Sequence, residues 1–303
     1  MTAPVAELGI VDPHMHMWDI DRLYYNWLQD VPLPNNPAGD MSGIAYKSYS
    51  LSDYLQDAAP VKVAKIVHVE CGLPDKDRLD ETDWLQGIAD TGRIPMAIVA
   101  GASLEAPRVE WLLAAHADRR NVRGVRQIIN RHKDASKTYT ARNLLDNAKW
   151  RKGFGLLAKY GLSFDLQLYP SQMDKAAKLA ERHPATPLII NHGGMPTDRD
   201  PSGIRQWQRG MARLARCENI SVKISGFGGV DPQWSVHRIR PFIFDIIDRF
   251  GAGRVMFASN FPVDRVHGAF STHFRAFDEI TASFSDDERQ GMFRANAERI
   301  YRL

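Results

Sequence analysis

The chain has 303 residues, of which 44% are hydrophobic and 25% charged, so it can bury a large core beneath a solvated surface. Its formal net charge of +3, from 39 basic and 36 acidic residues, gives no electrostatic argument for a nucleic acid or a membrane surface as partner. We therefore expect a small-molecule substrate. A homo-oligomer is compatible with this composition, although no feature selects a symmetry.

Cysteine usage and the termini bear on the cellular compartment. Cys71 and Cys217 are far apart and lack Cys-x-x-Cys spacing, which predicts reduced, buried thiols and no disulfide. The N-terminus lacks the basic and apolar stretches of a signal peptide, and no apolar run approaches the roughly 18 residues of a membrane span. These features predict a soluble cytoplasmic protein.

Short β-branched or apolar runs recur along the whole chain and predict eight strands. They cover residues 9–12, 64–70, 95–100, 122–127, 162–167, 186–191, 220–224 and 254–258. Helical apolar spacing lies between them, at residues 111–116, 154–159, 173–180 and 242–247, and helix C-caps are expected at Gly92, Gly161 and Gly251. This alternation favours an α/β fold, a closed (β/α)8 TIM barrel, as a single domain over residues 1–303.

The connection between the first two strands is unusually long, covering residues 17–63, and is rich in Trp, Tyr, Pro and Asn. A long loop insertion between β1 and α1 is usually functional, and it would rise at the rim where barrel enzymes build their sites. Trp18, Tyr24, Tyr25 and Trp27 are candidates for a substrate lid. The alternative, a cluster that only packs the loop, stays open.

Seven of the eight predicted strands end in ionisable or amide side chains. Because side chains alternate along a strand, Asp12, His14 and His16 share one face if the extended geometry continues past Pro13. The other strand ends carry Glu70, Arg126, Asp165 with Gln167, His192, Lys223 and Asn260. Burying so many polar groups costs several kcal/mol unless they pair with each other, a metal or a ligand, which predicts a functional site. His68, one layer deeper, is expected to be a hydrogen-bonded core histidine.

The pair His14-x-His16 is the most specific single element. Two imidazoles on one strand face have Cα atoms roughly 6–7 Å apart. That spacing lets them share a divalent cation or flank one substrate group. The alternative, two core histidines after a buried strand, stays open.

In this order the motifs resemble the amidohydrolase superfamily, and specifically its lactonase-like TIM-barrel hydrolases, from the first strand to the last helix. The motifs that carry the resemblance are residues 11–16 (VDPHMH), 123–127 (RGVRQ), 164–167 (FDLQ), 190–196 (INHGGMP), 222–226 (VKISG) and 257–264 (FASNFPVD). Such enzymes are similar to sugar-acid lactonases and to lactonases of aromatic breakdown.

The resemblance implies roles for residues at these strand ends. It makes His14, His16 and His192 ligands of one divalent metal, such as zinc, or of the substrate directly, so a metal-independent site stays open. It makes Arg126, Gln167 and Lys223 substrate-binding residues, and Asp165 joins them because it shares a strand face with Gln167.

Two departures from the family pattern matter. Gln167 stands where dinuclear amidohydrolases carry a metal-binding histidine, so a dinuclear site is not expected. Residues 259–262 read Ser-Asn-Phe-Pro where most of the superfamily has Ser-Asp-Trp-Pro, whose aspartate is the general base. Because asparagine cannot take a proton near neutral pH, the catalytic role expected at Asn260 must move, and Asp264, Glu70 and His192 are the candidates.

Together these features predict an enzyme that opens a lactone of an anionic or polyhydroxylated small acid by attack of water. Arg126 and Lys223 would clamp a substrate carboxylate, Arg126 as a planar fork and Lys223 as a point charge. Two alternatives remain. One is a metal-dependent, non-oxidative decarboxylase of a small aromatic or unsaturated acid, and the other is a barrel that binds a small acid without turning it over.

Overall fold

Eight short parallel strands form the centre of the protein, as seen in a computed structural model that describes residues 4–32 and 36–303. The strands in these ranges are β1 Ile10–Met15, β2 Val63–Val69, β3 Met96–Gly101, β4 Val122–Arg126, β5 Ser163–Leu166, β6 Leu188–Ile190, β7 Ile220–Ile224 and β8 Val255–Phe257. Each pairs in parallel with the next along the chain. The Asn260 N–H donates to the His14 carbonyl at 2.7 Å and joins the end of β8 to β1. The predicted TIM barrel is confirmed.

Helices connect the strands and pack around them. In the described ranges they are α1 Asn26–Gln29, α2 Leu51–Ala58, α3 Arg78–Asp90, α4 Val109–Ala117, α5 Ala148–Phe154, α6 Met173–Arg182, α7 Pro201–Ala215, α8 Phe227–Val230, α9 Val236–Phe250, α10 Phe270–Thr281, α11 Asp286–Gln290 and α12 Asn296–Tyr301. Three predicted helical segments lie within α4, α6 and α9. The fourth, residues 154–159, was wrong: α5 ends at Phe154, and a 3₁₀ turn follows at Leu157–Tyr160. Gly153 and Gly155 disfavour a continuous helix there.

The hydrophobic core has two layers. The larger layer lies between strands and helices and includes Phe164, Leu166, Val222 and Ile224. The smaller layer fills the barrel interior with residues from the opposite strand faces, Val11, Val67, Val69, Ala97, Val99, Ile189 and Met256, together with Ala297 and Tyr301 of α12. The C-terminal helix α12 therefore contributes Tyr301 to the barrel interior.

The long connection after β1 is anchored by an antiparallel bridge between Trp18 and Tyr49; its residues 33–35 lie outside the described part of the chain. Cys71 and Cys217 are both buried and free, as expected. Among the described residues, no helix combines the length and apolar character needed to cross a membrane.

Candidate active site

A cavity of about 480 Å³ opens at the carboxyl ends of the strands. This is the face at which TIM-barrel enzymes carry their active sites. Seven residues singled out in the sequence line it: His16, Glu70, Arg126, Gln167, His192, Asn260 and Asp264. The cavity therefore gathers polar side chains that follow six of the eight strands.

Three imidazole rings lie together at this end of the barrel. The ring centroid of His14 is 5.0 Å from that of His16 and 4.7 Å from that of His192. Burial, followed by the charge of Lys223, lowers the pKa of His14 well below its usual value. Burial and then Arg126 lower the pKa of His16 in the same way and bring the pKa of His192 to about 3. All three rings are therefore neutral at neutral pH.

His192 reaches the cavity by a route that strand alternation did not predict. Alternation along β6 would place His192 on the face of Leu188 and Ile190, but these two residues pack in the outer core. Beyond the end of β6, His192 adopts a left-handed backbone with φ of 53°, which redirects its side chain. Its Nδ1 lies 3.0 Å from the Ser225 hydroxyl oxygen. A Cβ at Gly226 would come within 2.6 Å of that same Nδ1, so only glycine fits beside the ring.

Asp12 does not share the face of His14, contrary to the expectation. Its carboxylate accepts hydrogen bonds from the Tyr54 hydroxyl at 2.7 Å and from the Ser259 backbone N–H at 3.0 Å. The pairing of β1 with β2 is irregular between Asp12 and Met15, so the alternation of side chains is interrupted there. Asp12 thus ties β1 to α2 and to the segment after β8.

The three histidines do not fit a metal ion as a ligand set. Within residues 4–32 and 36–303, no group of three or more His, Cys, Asp or Glu side chains could hold one. His14 leaves both ring nitrogens buried without a partner, as a ligand would. However, His16 Nδ1 lies 2.7 Å from the Val69 carbonyl oxygen, and its Nε2 lies 3.3 Å from Asn260 Oδ1. Nδ1 of His16 is therefore occupied, and its Nε2 faces a neutral amide oxygen.

Asp264 provides a carboxyl group next to the asparagine that ends strand eight. It is buried, and its two oxygens accept hydrogen bonds from Asn260 Nδ2 at 2.9 Å and from the Gly226 backbone N–H at 3.0 Å. Burial raises the pKa of Asp264 to about 7, against the opposing effect of these two bonds. A carboxyl group that titrates near neutral pH in a cavity wall is suited to general-base catalysis.

The Asn260 amide links Asp264 to His16. Since the Val69 carbonyl can only accept, His16 carries its proton on Nδ1 and presents Nε2 as an acceptor. An amide that turns its NH₂ to Nε2 must turn its oxygen to Asp264, whose carboxyl then has to be protonated. With Asp264 ionised, the NH₂ turns to the carboxylate, and the amide oxygen faces the lone pair of Nε2. The orientation of the amide therefore follows the protonation state of Asp264.

Glu70 and Arg126 form a buried ion pair in the opposite wall. Arg126 Nε donates to Glu70 Oε1 at 2.7 Å, and the Gly72 N–H donates to Glu70 Oε2 at 2.7 Å. Burial alone would raise the pKa of Glu70, but Arg126 and Arg78 outweigh it and hold the pKa below its usual value. Glu70 is therefore a weak base whose structural effect is to orient Arg126.

Lys223 and Asp165 are not among the described residues that line this cavity. They are ion-paired with each other and fully buried in the barrel interior. Asp165 also accepts hydrogen bonds from the Tyr301 hydroxyl at 3.0 Å and from Asn191 Nδ2 at 3.0 Å. The structure therefore places Lys223 in the barrel interior and not in the cavity wall beside Arg126, because strand alternation gave the face of Lys223 and not its depth.

The aromatic residues after β1 divide between the two roles left open. Trp18 and Tyr25 are buried within the loop, and Trp18 Nε1 donates to the Lys47 carbonyl at 2.8 Å. Tyr24 is exposed. Trp27 lines the cavity, and its Nε1 donates to the Cys71 carbonyl at 2.8 Å. His68 is a buried core histidine with Nε2 3.0 Å from the Met17 carbonyl oxygen, as expected.

Arg78 and Tyr139 are among the cavity residues that the sequence reasoning missed. Arg78 begins α3, and Tyr139 lies in the loop after β4; both line the cavity. A signal for them exists, because the βα loops of a TIM barrel supply its active-site residues. The sequence prediction considered only side chains at the strand ends, so it did not include these loop residues.

Comparison with known proteins places the whole chain among related sequences. A sequence model of the family described as amidohydrolase matches residues 11–303. An uncharacterized protein of Sinorhizobium fredii, y4mH, is 40% identical over 300 residues, which are 99% of this chain and 100% of that protein. The L-fucono-1,5-lactonase of Burkholderia multivorans is 24% identical over 307 residues, which are 97% of this chain and 96% of that enzyme.

Solved structures share the fold at lower identity. An amidohydrolase from Burkholderia multivorans with bound zinc has a TM-score of 0.79 and 22% identity, covering 97% of this chain and 99% of that chain. The 5-carboxyvanillate decarboxylase of Novosphingobium aromaticivorans, complexed with manganese, has a TM-score of 0.65 and 14% identity, covering both chains fully at 100%. A divalent metal is therefore bound in solved proteins that share this fold.

Proposed function

This chain belongs to the amidohydrolase family and is a hydrolase, and we propose that it opens a lactone of an anionic or polyhydroxylated small acid by attack of water. The observation that carries this proposal is Asp264, a buried cavity carboxyl group with a pKa raised to about 7 by burial. The similarity to an L-fucono-1,5-lactonase across 97% of the chain favours a lactone as the bond that is cleaved.

Asp264 is the general base in this proposal. Of the three candidates, Glu70 is held ionised by Arg126 and Arg78, and the pKa of His192 is lowered to about 3 by burial and then by Arg126 and Lys223. Asp264 combines cavity access with a pKa close to neutral pH, which is what efficient proton transfer requires. It takes a proton from water as the water attacks the carbonyl carbon, and it returns that proton to the ring oxygen when the C–O bond breaks.

His192 polarises the lactone carbonyl. In the tautomer in which its Nδ1 accepts from the Ser225 hydroxyl, the ring proton lies on Nε2, the nitrogen that remains for the cavity. A neutral N–H donor at this point stabilises the oxyanion that develops on the carbonyl oxygen. Arg126 and Gln167, joined by a 3.4 Å contact between Nη1 and Oε1, bind polar groups of the substrate.

The sequence left a zinc ion and a metal-independent site as alternatives, and we propose the second. His16 Nδ1 is engaged with the Val69 carbonyl, and its Nε2 faces the neutral Asn260 amide where most of the superfamily has an aspartate. The test is metal analysis of the purified protein, followed by ring opening before and after dialysis against EDTA. Turnover that persists within about twofold supports the proposal, and turnover that is lost and restored by zinc contradicts it.

The experiment for the function itself is ring opening, followed as acid release with a pH indicator across sugar-acid lactones and unsaturated aromatic-pathway lactones. We expect turnover on at least one lactone and a fall in kcat of about 10²- to 10⁴-fold in Asp264→Asn. Asp198→Asn is the matched control, because Asp198 binds Lys137 and His132 outside this cavity. An equal loss in both variants would contradict a catalytic role for Asp264.

Decarboxylation remains the second candidate. The observation that favours it is the arginine-rich cavity wall, where Arg78 and Arg126 would bind a carboxylic acid substrate. Release of carbon dioxide from a small aromatic or unsaturated acid, with no activity on any lactone, would replace the lactonase by this reaction.

A further inference from the structure

Arg78 presents a buried guanidinium nitrogen without a partner at the cavity wall. Its side chain is 13% exposed, and its Nε donates to the Leu73 carbonyl at 3.1 Å and lies 3.2 Å from an Asp75 oxygen. Its Nη1 is buried and has no hydrogen-bond partner among the described residues. An unsatisfied buried donor costs about 1–3 kcal/mol, and more when it is charged, so a ligand is the expected partner.

The absence of a side chain at Gly101 lets Arg78 lie next to the Glu70–Arg126 ion pair. A Cβ at Gly101, the last residue of β3, would lie 3.2 Å from Arg78 Cδ and 3.4 Å from Glu70 Oε2. Glycine therefore allows the Arg78 side chain to lie beside Glu70, whose other oxygen accepts from Arg126 Nε. The two arginines thus flank one carboxylate in the same wall.

The wall has little negative charge to satisfy both arginines. Glu81, one helical turn after Arg78, has its pKa raised to about 8 by burial and then by Glu70, so it is mostly protonated at neutral pH. The Asp75 side chain is 50% exposed, and solvent screens its attraction for Arg78. Of Glu70, Asp75 and Glu81, only Glu70 is therefore both buried and fully ionised beside the two guanidinium groups.

We propose that Arg78, together with Arg126, forms a subsite for a carboxylate that the lactone carries outside the ring being opened. This inference rests on the proposed function and narrows its substrate to a lactone with an ionised acid group. Arg78 supplies the unpartnered Nη1, and Arg126 supplies Nη1, whose contact with Gln167 is long at 3.4 Å. Guanidinium groups bind carboxylates through such paired N–H donors.

The placement of the subsite agrees with the proposed chemistry. Arg78 follows β2, whereas Asp264 follows β8, and these two strands flank β1. A substrate lying over His16 therefore places its carboxylate on one side and its ring carbonyl on the other, beside Asp264. Arg78 acts on binding and orientation, and it takes no part in proton transfer.

The test compares a lactone that carries a carboxylate with the same lactone as its neutral primary amide. For Arg78→Met we expect the KM of the acid to rise at least tenfold more than the KM of the amide. Arg78→Lys keeps the charge but not the planar donors, so we expect an intermediate change. Arg93→Met is the matched control, because Arg93 is exposed and its Nη1 donates to Ser52 Oγ at 3.1 Å on the surface.

Binding of succinate, measured by calorimetry, separates this inference from the proposed function. We expect succinate to bind the wild-type protein at least tenfold more tightly than Arg78→Met. Succinate binding that depends on Arg78, with no lactone opened, would uphold the subsite and reject the lactonase. Lactone opening in which Arg78→Met and Arg78→Lys alter acid and amide equally, with unchanged succinate binding, would overturn the subsite and leave the lactonase standing.

Discussion

The barrel interior and the cavity above it both contain buried ionisable groups, but the two regions differ in how far these groups are paired. In the interior, Asp165 pairs with Lys223 and accepts further hydrogen bonds from Tyr301 and Asn191. In the cavity, Arg78 Nη1 is buried without a hydrogen-bond partner in residues 4–32 and 36–303, and Asp264 has a pKa raised to about 7 by burial. Buried groups that satisfy one another stabilise the fold, whereas an unpartnered donor or a carboxyl group with a raised pKa is available to a substrate.

Replacing Lys223 by methionine should have the largest effect on stability. Asp165 would remain in the interior without its cation, and breaking a buried ion pair in this way costs about 3–5 kcal/mol of the free energy of unfolding. Urea unfolding of wild type and Lys223→Met measures the difference. The double variant Lys223→Met, Asp165→Leu should recover part of the loss, because it removes the unpaired charge. A loss below about 1 kcal/mol in the single variant would contradict the contrast between the two regions.

The pH dependence of stability should identify Asp264 as a carboxyl group whose burial outweighs its two hydrogen bonds. Its pKa is raised by burial to about 7 in the folded protein, above the value of 3.8 expected for an unperturbed aspartate. Its contribution to stability is therefore complete below about pH 4 and is lost as pH rises through 7. Between pH 5 and 9, wild type should lose about 2–4 kcal/mol relative to Asp264→Asn.

Urea unfolding of both proteins at several pH values measures this relative change, and Asp198→Asn again serves as the control. Parallel stability profiles of wild type and Asp264→Asn would show that the carboxyl group is not raised in pKa.

Replacing Tyr301 by phenylalanine should have the smallest effect of the series. The Tyr301 hydroxyl donates to Asp165, but Lys223 and Asn191 still satisfy that carboxylate after the change. We expect a loss of about 1–2 kcal/mol in the free energy of unfolding, typical of one hydrogen bond to a charged group. Activity per folded molecule should be unchanged, because Tyr301 lies in the barrel interior. Lost activity with unchanged stability would contradict this assignment.

Most of the fold could be predicted because each strand carries its own apolar signal in sequence. The seventh strand was predicted at its observed bounds, and the others differ at their ends by a few residues. The prediction of a helix at 154–159 was wrong because it followed the apolar spacing and gave too little weight to the glycines at 153 and 155.

The candidate site was predicted less completely, since strand alternation determines a face and neither depth nor backbone irregularity. Lys223 points into the barrel as its position indicates, yet it lies below the cavity and pairs with Asp165. The irregular strand pairing between Asp12 and Met15 places the Asp12 side chain on another face than the one expected. The left-handed backbone of His192 directs its side chain into the cavity. Arg78 was missed because it begins a helix, where the sequence gives no strand-end signal.

The most direct test of the account is the dependence of kcat on pH for lactone opening by wild type and Asp264→Asn. If Asp264 is the general base, kcat of the wild type should rise with pH and reach half its maximum near pH 7, the value to which burial raises the pKa of Asp264. The residual activity of Asp264→Asn should lack that titration. A profile that is flat from pH 5 to 9, or one that persists unchanged in Asp264→Asn, would contradict the account.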